Sequence, residues 1–413
     1  MVASSKGRSI TRDIFTIPVI VSALGYFVDI YDLILFSIVR VPSLKSLGLE
    51  GQALLDQGVF LLNMQMAGML LGGIFWGILG DKKGRVKILF GSIFLYSLAN
   101  IANGTVDSIW SYAAWRFIAG IGLAGELGAG ITLVLENLPQ QTRGYGTMVV
   151  ASVGVTGAIL ANFVSNYFEW RVAYYIGGGL GFMLLLARVS VYESGMYSEM
   201  AGQGNISKGN FISLFTSRAR FFKYMRSVLI GLPIWFCVGI LITFSPEFAK
   251  ALSITGPVNA GEAVMFCYIG LVFGDFLSGF LSQYFRNRKK IVLLFLLMTC
   301  AVTAYYFTQQ NQSASRFYLT CLAIGFAVGY WAIFITIAAE QFGTNLRATV
   351  ASTVPNFIRG AVIPITFFFQ MAKRQFGIMQ AGMIVGGVCL AIAFYTLYGL
   401  EETFSKELNY IED

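Results

Sequence analysis

No histidine occurs among the 413 residues, which excludes histidine-based triads and HExxH metal sites. Any proton chemistry must fall to carboxylates, with arginines as their partners. Charge is scarce too: Asp, Glu, Lys and Arg make up 12% of the chain, about half of what a soluble domain carries. So little charge cannot wet a water-exposed surface, but it suits a lipid-exposed one. Nothing matches the GxxxxGK[ST] phosphate cradle, so a nucleotide-driven motor is not expected. The five cysteines (Cys237, Cys267, Cys300, Cys321, Cys389) sit in apolar runs without CxxC or ligand spacing. Structural thiols are therefore expected, with no metal and no cofactor. The polar, basic start (Lys6, Arg8, Arg12) is followed by a long apolar run without a small-residue cleavage site. That predicts a tail before a retained span and not a removed signal.

What the chain has in abundance is apolar residues, 56% of the total. Runs of roughly 20 mostly apolar residues, each long enough to span a bilayer as a helix, recur twelve times between about residues 14 and 399. Their length and the lack of strict alternation favour helices over barrel strands. The longest polar break, 191–222, follows the sixth run and divides the chain into residues 1–190, a linker, and residues 223–413. The expected fold is an all-α membrane protein of twelve transmembrane helices in two pseudo-symmetric six-helix bundles. The net charge of +8 resides in short loops, a topology pattern and not a nucleic-acid face. Lysine and arginine concentrate in the loops that place both termini in the cytoplasm, so a multi-pass inner-membrane protein is expected, acting as a monomer.

An internal repeat supports the division. Glu136-Asn-Leu-Pro139-Gln-Gln-Thr-Arg143 returns as Glu340-Gln-Phe-Gly343-Thr-Asn-Leu-Arg347, and the segment Gly77–Lys87 returns at Gly279–Lys290, each roughly 200 residues later. Six spans restore the starting orientation, so the repeat is parallel.

Ionisable residues inside spans are costly and usually line a hydrated path. Asp29, Asp32, Arg116, Glu126, Asp275 and Arg359 are the clear cases. Asp29 and Asp32, three residues apart, share a helix face. Arg116 in the fourth span falls at similar depth, which predicts a salt bridge to one of them and a proton-operated switch. Glu126, on a glycine-rich helix that permits close approach, is a second proton or substrate candidate, with a structural amide partner as the alternative. Arg359, near Asn356 and close to the midplane, is suited to hold a carboxylate through its two-pronged donor geometry, although an internal acid would serve it equally. Trp331 is a stacking candidate, with packing as its alternative. Asp275 has no evident partner. Trp110 and Trp170 are expected as interface anchors.

The stretch Gly77-Ile-Leu-Gly-Asp81-Lys82-Lys-Gly84-Arg85 resembles the loop 2–3 signature of the major facilitator superfamily. Arg116-Phe-Ile-Ala-Gly120, followed by Glu136-x-x-Pro139-x-x-x-Arg143-Gly144, is similar to the fourth-helix pattern of its sugar porter and metabolite–proton symporter branch. Tyr192-Glu193-Ser194 and Leu400-Glu401-Glu402-Thr403 resemble that branch's acidic endings without their prolines. The resemblance implies that Asp32 and Arg116 couple transport to protons. It also implies that Asp81, Arg85, Glu136, Arg143, Glu193, Glu340 and Arg347, all at inner span ends, latch the halves together. The seventh span lacks the paired glutamines of sugar porters, which points away from sugars. The function expected is alternating-access symport of a small polar metabolite with protons, an organic anion being favoured because of the two intramembrane arginines. A facilitator or drug exporter of the same fold, or a non-transporting receptor or scaffold, are the alternatives. An enzyme is not expected.

Overall fold

The computed structural model describes residues 16–139, 141–188, 209–404 and 406–412. Among them, eleven helices are long and apolar enough to cross a membrane. The last, Arg347–Tyr398, has 52 residues and is two spans joined at Gly377, whose φ of 79° breaks the helix and suits glycine. Twelve spans in two six-helix bundles result.

Several spans are broken near their middles. The fourth comprises Ile109–Leu123 and Glu126–Asn137, and the tenth Ala314–Ala327 and Trp331–Glu340. The seventh runs through Leu232–Phe236 into a π-turn at Cys237–Ile242. Such breaks free backbone groups that need partners at membrane depth, so they persist where protein or a hydrated cavity supplies them. Asp275, in the eighth span (Ala260–Tyr284), does this for the tenth: its Oδ1 accepts from the Ala332 amide at 3.1 Å. The partner that the sequence did not reveal is thus backbone.

Phe75, Phe94, Phe163, Leu186 and Phe367 are exposed, as a lipid-facing belt requires. Charged side chains point inward instead: Asp29, Asp32, Arg116, Glu126, Asp275 and Arg359 are all buried. The halves meet where the second span (Gly51–Lys83) packs on the eleventh, and the fifth (Arg143–Val155 and Gly157–Tyr167) on the eighth. Contact is backbone-close at Gly128, where a Cβ would lie 2.2 Å from Ser352 Oγ; only small residues permit such an approach. Trp110 is largely exposed, as an anchor should be, but Trp170 is buried and stacks against Tyr112. The expectation of an anchor at Trp170 is corrected: its ring completes an aromatic cluster with Tyr112 and Tyr174.

Candidate functional site

The interior holds three groups of polar residues, at the middle and at both ends of the bundle. At the middle, Arg359 of the eleventh span is 1% exposed. Its Nη1 donates to Asn356 Oδ1 at 3.3 Å, and its Nη2 stands 3.8 Å from Asp29 Oδ2 of the first span (Ile17–Ser46). Nε and Nη2 of Arg359 have no hydrogen-bond partner, nor has either oxygen of Asp29. The guanidinium lies 5.5 Å from the ring centroid of Trp331. Trp331, Trp235, Tyr26 and Tyr268 close a cavity of about 20 Å³ against Arg359, enough for a water but no larger solute. No sequence signal selects Tyr26, Trp235 or Tyr268, because one aromatic among 36 phenylalanines and 20 tyrosines carries no address.

Asn356 does not face the cavity as a free amide. Its Nδ2 donates to Ala124 O (2.9 Å) at the break in the fourth span and to Ser352 O (2.7 Å), which fixes it as the support of Arg359. Arg116 differs from expectation more sharply. It donates to Gln65 Oε1 and packs over the Phe36 and Tyr174 rings, and it forms no ion pair with Asp29 or Asp32. Gln65 is neutral and mid-span, so it carries no charge signal in the sequence. Asp29 takes its cation from the other half, while both oxygens of Asp32 are buried without hydrogen-bond partners. Glu126 is held by Arg188 through both oxygens, a buried pair that also fastens the sixth span (Trp170–Ala187) to the fourth. Arg188 sits at a span end, where basic residues ordinarily mark topology, so its position alone does not signal an interior partner.

One end of the bundle is shut by a network across the two halves. Asp81 accepts from the Ala348 and Thr349 amides at 3.1 and 2.9 Å and from Thr349 Oγ1 at 2.7 Å. Its carboxylate thereby caps the start of the eleventh span, where amide donors and the helix dipole favour negative charge. Arg85 bonds Glu136 at 2.8 Å and the Thr344 carbonyl at 3.1 Å, and Arg347 reaches Glu136 at 3.2 Å. Glu340 behaves otherwise, binding Arg288 through two contacts of 2.7 Å within its own half. Arg143 donates to the Leu138 carbonyl at 3.1 Å. Glu193 lies outside the described residues. The opposite end opens into a vestibule of about 1090 Å³ bordered by Arg40, Asn162, Glu247 and Tyr318.

A chain closed at one end, open at the other and charged in the middle has known counterparts. The profile described as Major Facilitator Superfamily matches residues 22–365. The niacin transporter NiaP of Acinetobacter baylyi is 26% identical, with 95% of each chain covered. A gentisate transporter of Corynebacterium glutamicum is 24% identical over 92% of this chain and 88% of its own. The solved structure of the proton:xylose symporter XylE superposes with a TM-score of 0.75 at 16% identity, covering 97% of this chain and 98% of that one. The chain belongs to the Major Facilitator Superfamily and is a membrane transporter of that family.

Proposed function

We propose that the protein imports an aromatic carboxylate together with a proton, by alternating access. The observation that carries this is Arg359: a buried guanidinium with two nitrogens that make no hydrogen bond, walled by Trp331, Trp235, Tyr26 and Tyr268. A carboxylate suits the forked donor set, and a flat ring suits the aromatic walls. Two relatives are named for niacin and gentisate, which are both aromatic carboxylates.

Coupling follows from competition for one cation. Asp29 is the counter-ion of Arg359, at 3.8 Å. An arriving carboxylate takes over the guanidinium and leaves Asp29 unpaired in a dry interior, where a carboxyl group takes up a proton. Asp32, one helical turn along and also without a partner, relays that proton from outside. Arg116 and the Glu126–Arg188 pair hold the surrounding spans in register. Substrate and proton then leave together once the opposite end opens. Arg359, Trp331 and, through its support of Arg359, Asn356 form the substrate site.

The latch end faces the cytoplasm in this scheme, because Lys82, Lys83, Lys87, Lys289 and Lys290 gather there and basic loops are retained inside. Both termini are then cytoplasmic and the membrane is the bacterial inner membrane. Residues 1–190 and 223–413 are the moving halves, joined by 191–222. Asp81, Arg85, Glu136 and Arg347 gate the inner side, with Arg143, Glu193 and Glu340 as accessory members, and the transporter works as a monomer.

Purified protein tested with nicotinate and its uncharged analogue nicotinamide separates charge from shape. Arg359→Gln is expected to weaken nicotinate by roughly 100-fold, the scale of losing a buried charge-paired contact, while nicotinamide binding changes little. Equal loss of both ligands, or none of either, contradicts the assignment of Arg359.

A further inference from the structure

The first half contains a second polar track that the central cavity does not use. On the third span (Arg85–Asn103), Tyr96, Asn100 and Asn103 recur at i, i+4 and i+7, one helix face, with Ser97 beside them. All four are fully buried, and the Tyr96 hydroxyl, the Ser97 hydroxyl and both amide atoms of Asn100 and of Asn103 lack hydrogen-bond partners. Asn100 faces the Asp32 carboxylate without reaching hydrogen-bonding geometry. Glycines of the sixth span let these polar groups lie directly against its backbone. A Cβ on Gly177 would lie 2.3 Å from Asp32 Oδ1, and one on Gly181 would lie 2.0 Å from Ser97 Oγ.

Buried polar groups are as a rule satisfied, by protein or by water. Here the orphaned groups of the third span lie along one face that meets Asp32 of the first, and groups left in this way call for ordered water. From Tyr96 to Asn103 the track covers about 10 Å at ~1.5 Å per residue. It ends beside Gly104 and Val106, whose carbonyls accept from Arg171 at 3.1 and 2.8 Å. Arg171 is also paired at 2.9 Å with the exposed carboxylate of Asp107. That end lies on the vestibule side, away from the latch.

We propose that this track is a water-bearing proton path through the first half, from the outer surface at Asp107 past Asn103 and Asn100 to Asp32, separate from the vestibule that admits the substrate. It rests on the assignment of Asp32 as the relay. The asparagine amides anchor water. A proton taken from external water is passed along hydrogen-bonded oxygens, and Asp32 goes from carboxylate to carboxylic acid before handing the proton to Asp29. The ionisable groups facing Asp32 are Asp29 and Tyr31 on its own span, Tyr96 on the third, Arg116 on the fourth and Tyr174 on the sixth. Arg116, the single cation among them, offsets the charge of Asp32 while it is ionised. With its own conduit, the proton arrives whether or not substrate fills the vestibule.

The test uses full-length protein in proteoliposomes with labelled nicotinate, comparing pH-driven accumulation with substrate exchange, which moves no net proton. Asn100→Leu and Asn103→Leu remove the water anchors without adding charge. Each is expected to slow accumulation by roughly tenfold or more, as loss of a proton relay does, and to raise its solvent isotope effect. Exchange should hold, and Asn103→Ser, which keeps a polar anchor, should restore most of the rate. Asp32→Asn serves as the reference. If it accumulates like the unmodified protein, the relay assignment fails and the path with it. If Asp32→Asn abolishes accumulation but both leucine variants run at the normal rate and isotope effect, the path is refuted and Asp32 stands. If a leucine variant loses exchange as well and the Ser form does not recover, the track is structural packing and the proposal is overturned.

Discussion

Corresponding positions in the two halves of the latch end hold mostly the same residues but make different bonds. In the first half, Asp81 crosses the interface to the start of the eleventh span, and Arg85–Glu136 is bridged by Arg347 from the other side. In the second half the place of Asp81 is taken by Gln283, set against Gly144 at the start of the fifth span. Arg288–Glu340 there closes on itself and on Thr403. Sequence repetition therefore does not mean repetition of force. One copy ties the halves together and the other stiffens its own half. A closed end held by one strong latch opens when that latch alone is broken, which suits a carrier that must alternate.

Substitutions can break or sharpen this contrast. Asp81→Ala removes three accepted hydrogen bonds and leaves Arg85 with less compensation. Removal of one partner from a buried charged network costs ~3–5 kcal/mol, so uptake should fall the most, with the inner end open to a membrane-impermeant thiol reagent at an introduced cysteine. Gln283→Asp makes the second half resemble the first. A carboxylate at a helix start gains up to ~2 kcal/mol, so the closed form should persist and turnover slow by about threefold to tenfold in a transport assay. Glu340→Gln should lower the melting temperature by several degrees but leave the uptake rate of the folded protein nearly intact, because the bonds it breaks do not cross between halves. Arg143→Ala, which removes a single bond to a carbonyl in its own loop, should change uptake least. If Arg143→Ala matched Asp81→Ala, the latch would be symmetric after all.

Much of this architecture was legible in the sequence. Span number follows from apolar run length, and repeated charges at span ends marked Asp81, Arg85, Glu136 and Arg347, but equally Arg143 and Glu340, which bond within their own halves. Pairing was the harder part. Depth along a helix is countable from residue numbers, but rotation about its axis is not, so Arg116 could be placed level with Asp32 and still turn to Gln65. Neutral partners such as Gln65, Asn100 and Asn103 give no charge signal within an apolar run. The broken seventh and tenth spans were hidden for a related reason. The π-turn at Cys237–Ile242 and the interruption at Val328–Tyr330 occur in uniformly apolar stretches, and the groups that satisfy the freed backbone, such as Asp275, come from other spans.

The central claim is that substrate displaces Asp29 from Arg359 and that a proton takes the place of Arg359 on Asp29. Proton uptake on nicotinate binding to the purified protein, read with a pH indicator in weak buffer, tests it directly. The unmodified protein should take up about one proton per nicotinate bound, by linkage between the two events, and Asp29→Asn should bind nicotinate with no proton uptake. Undiminished proton uptake by Asp29→Asn would contradict the mechanism.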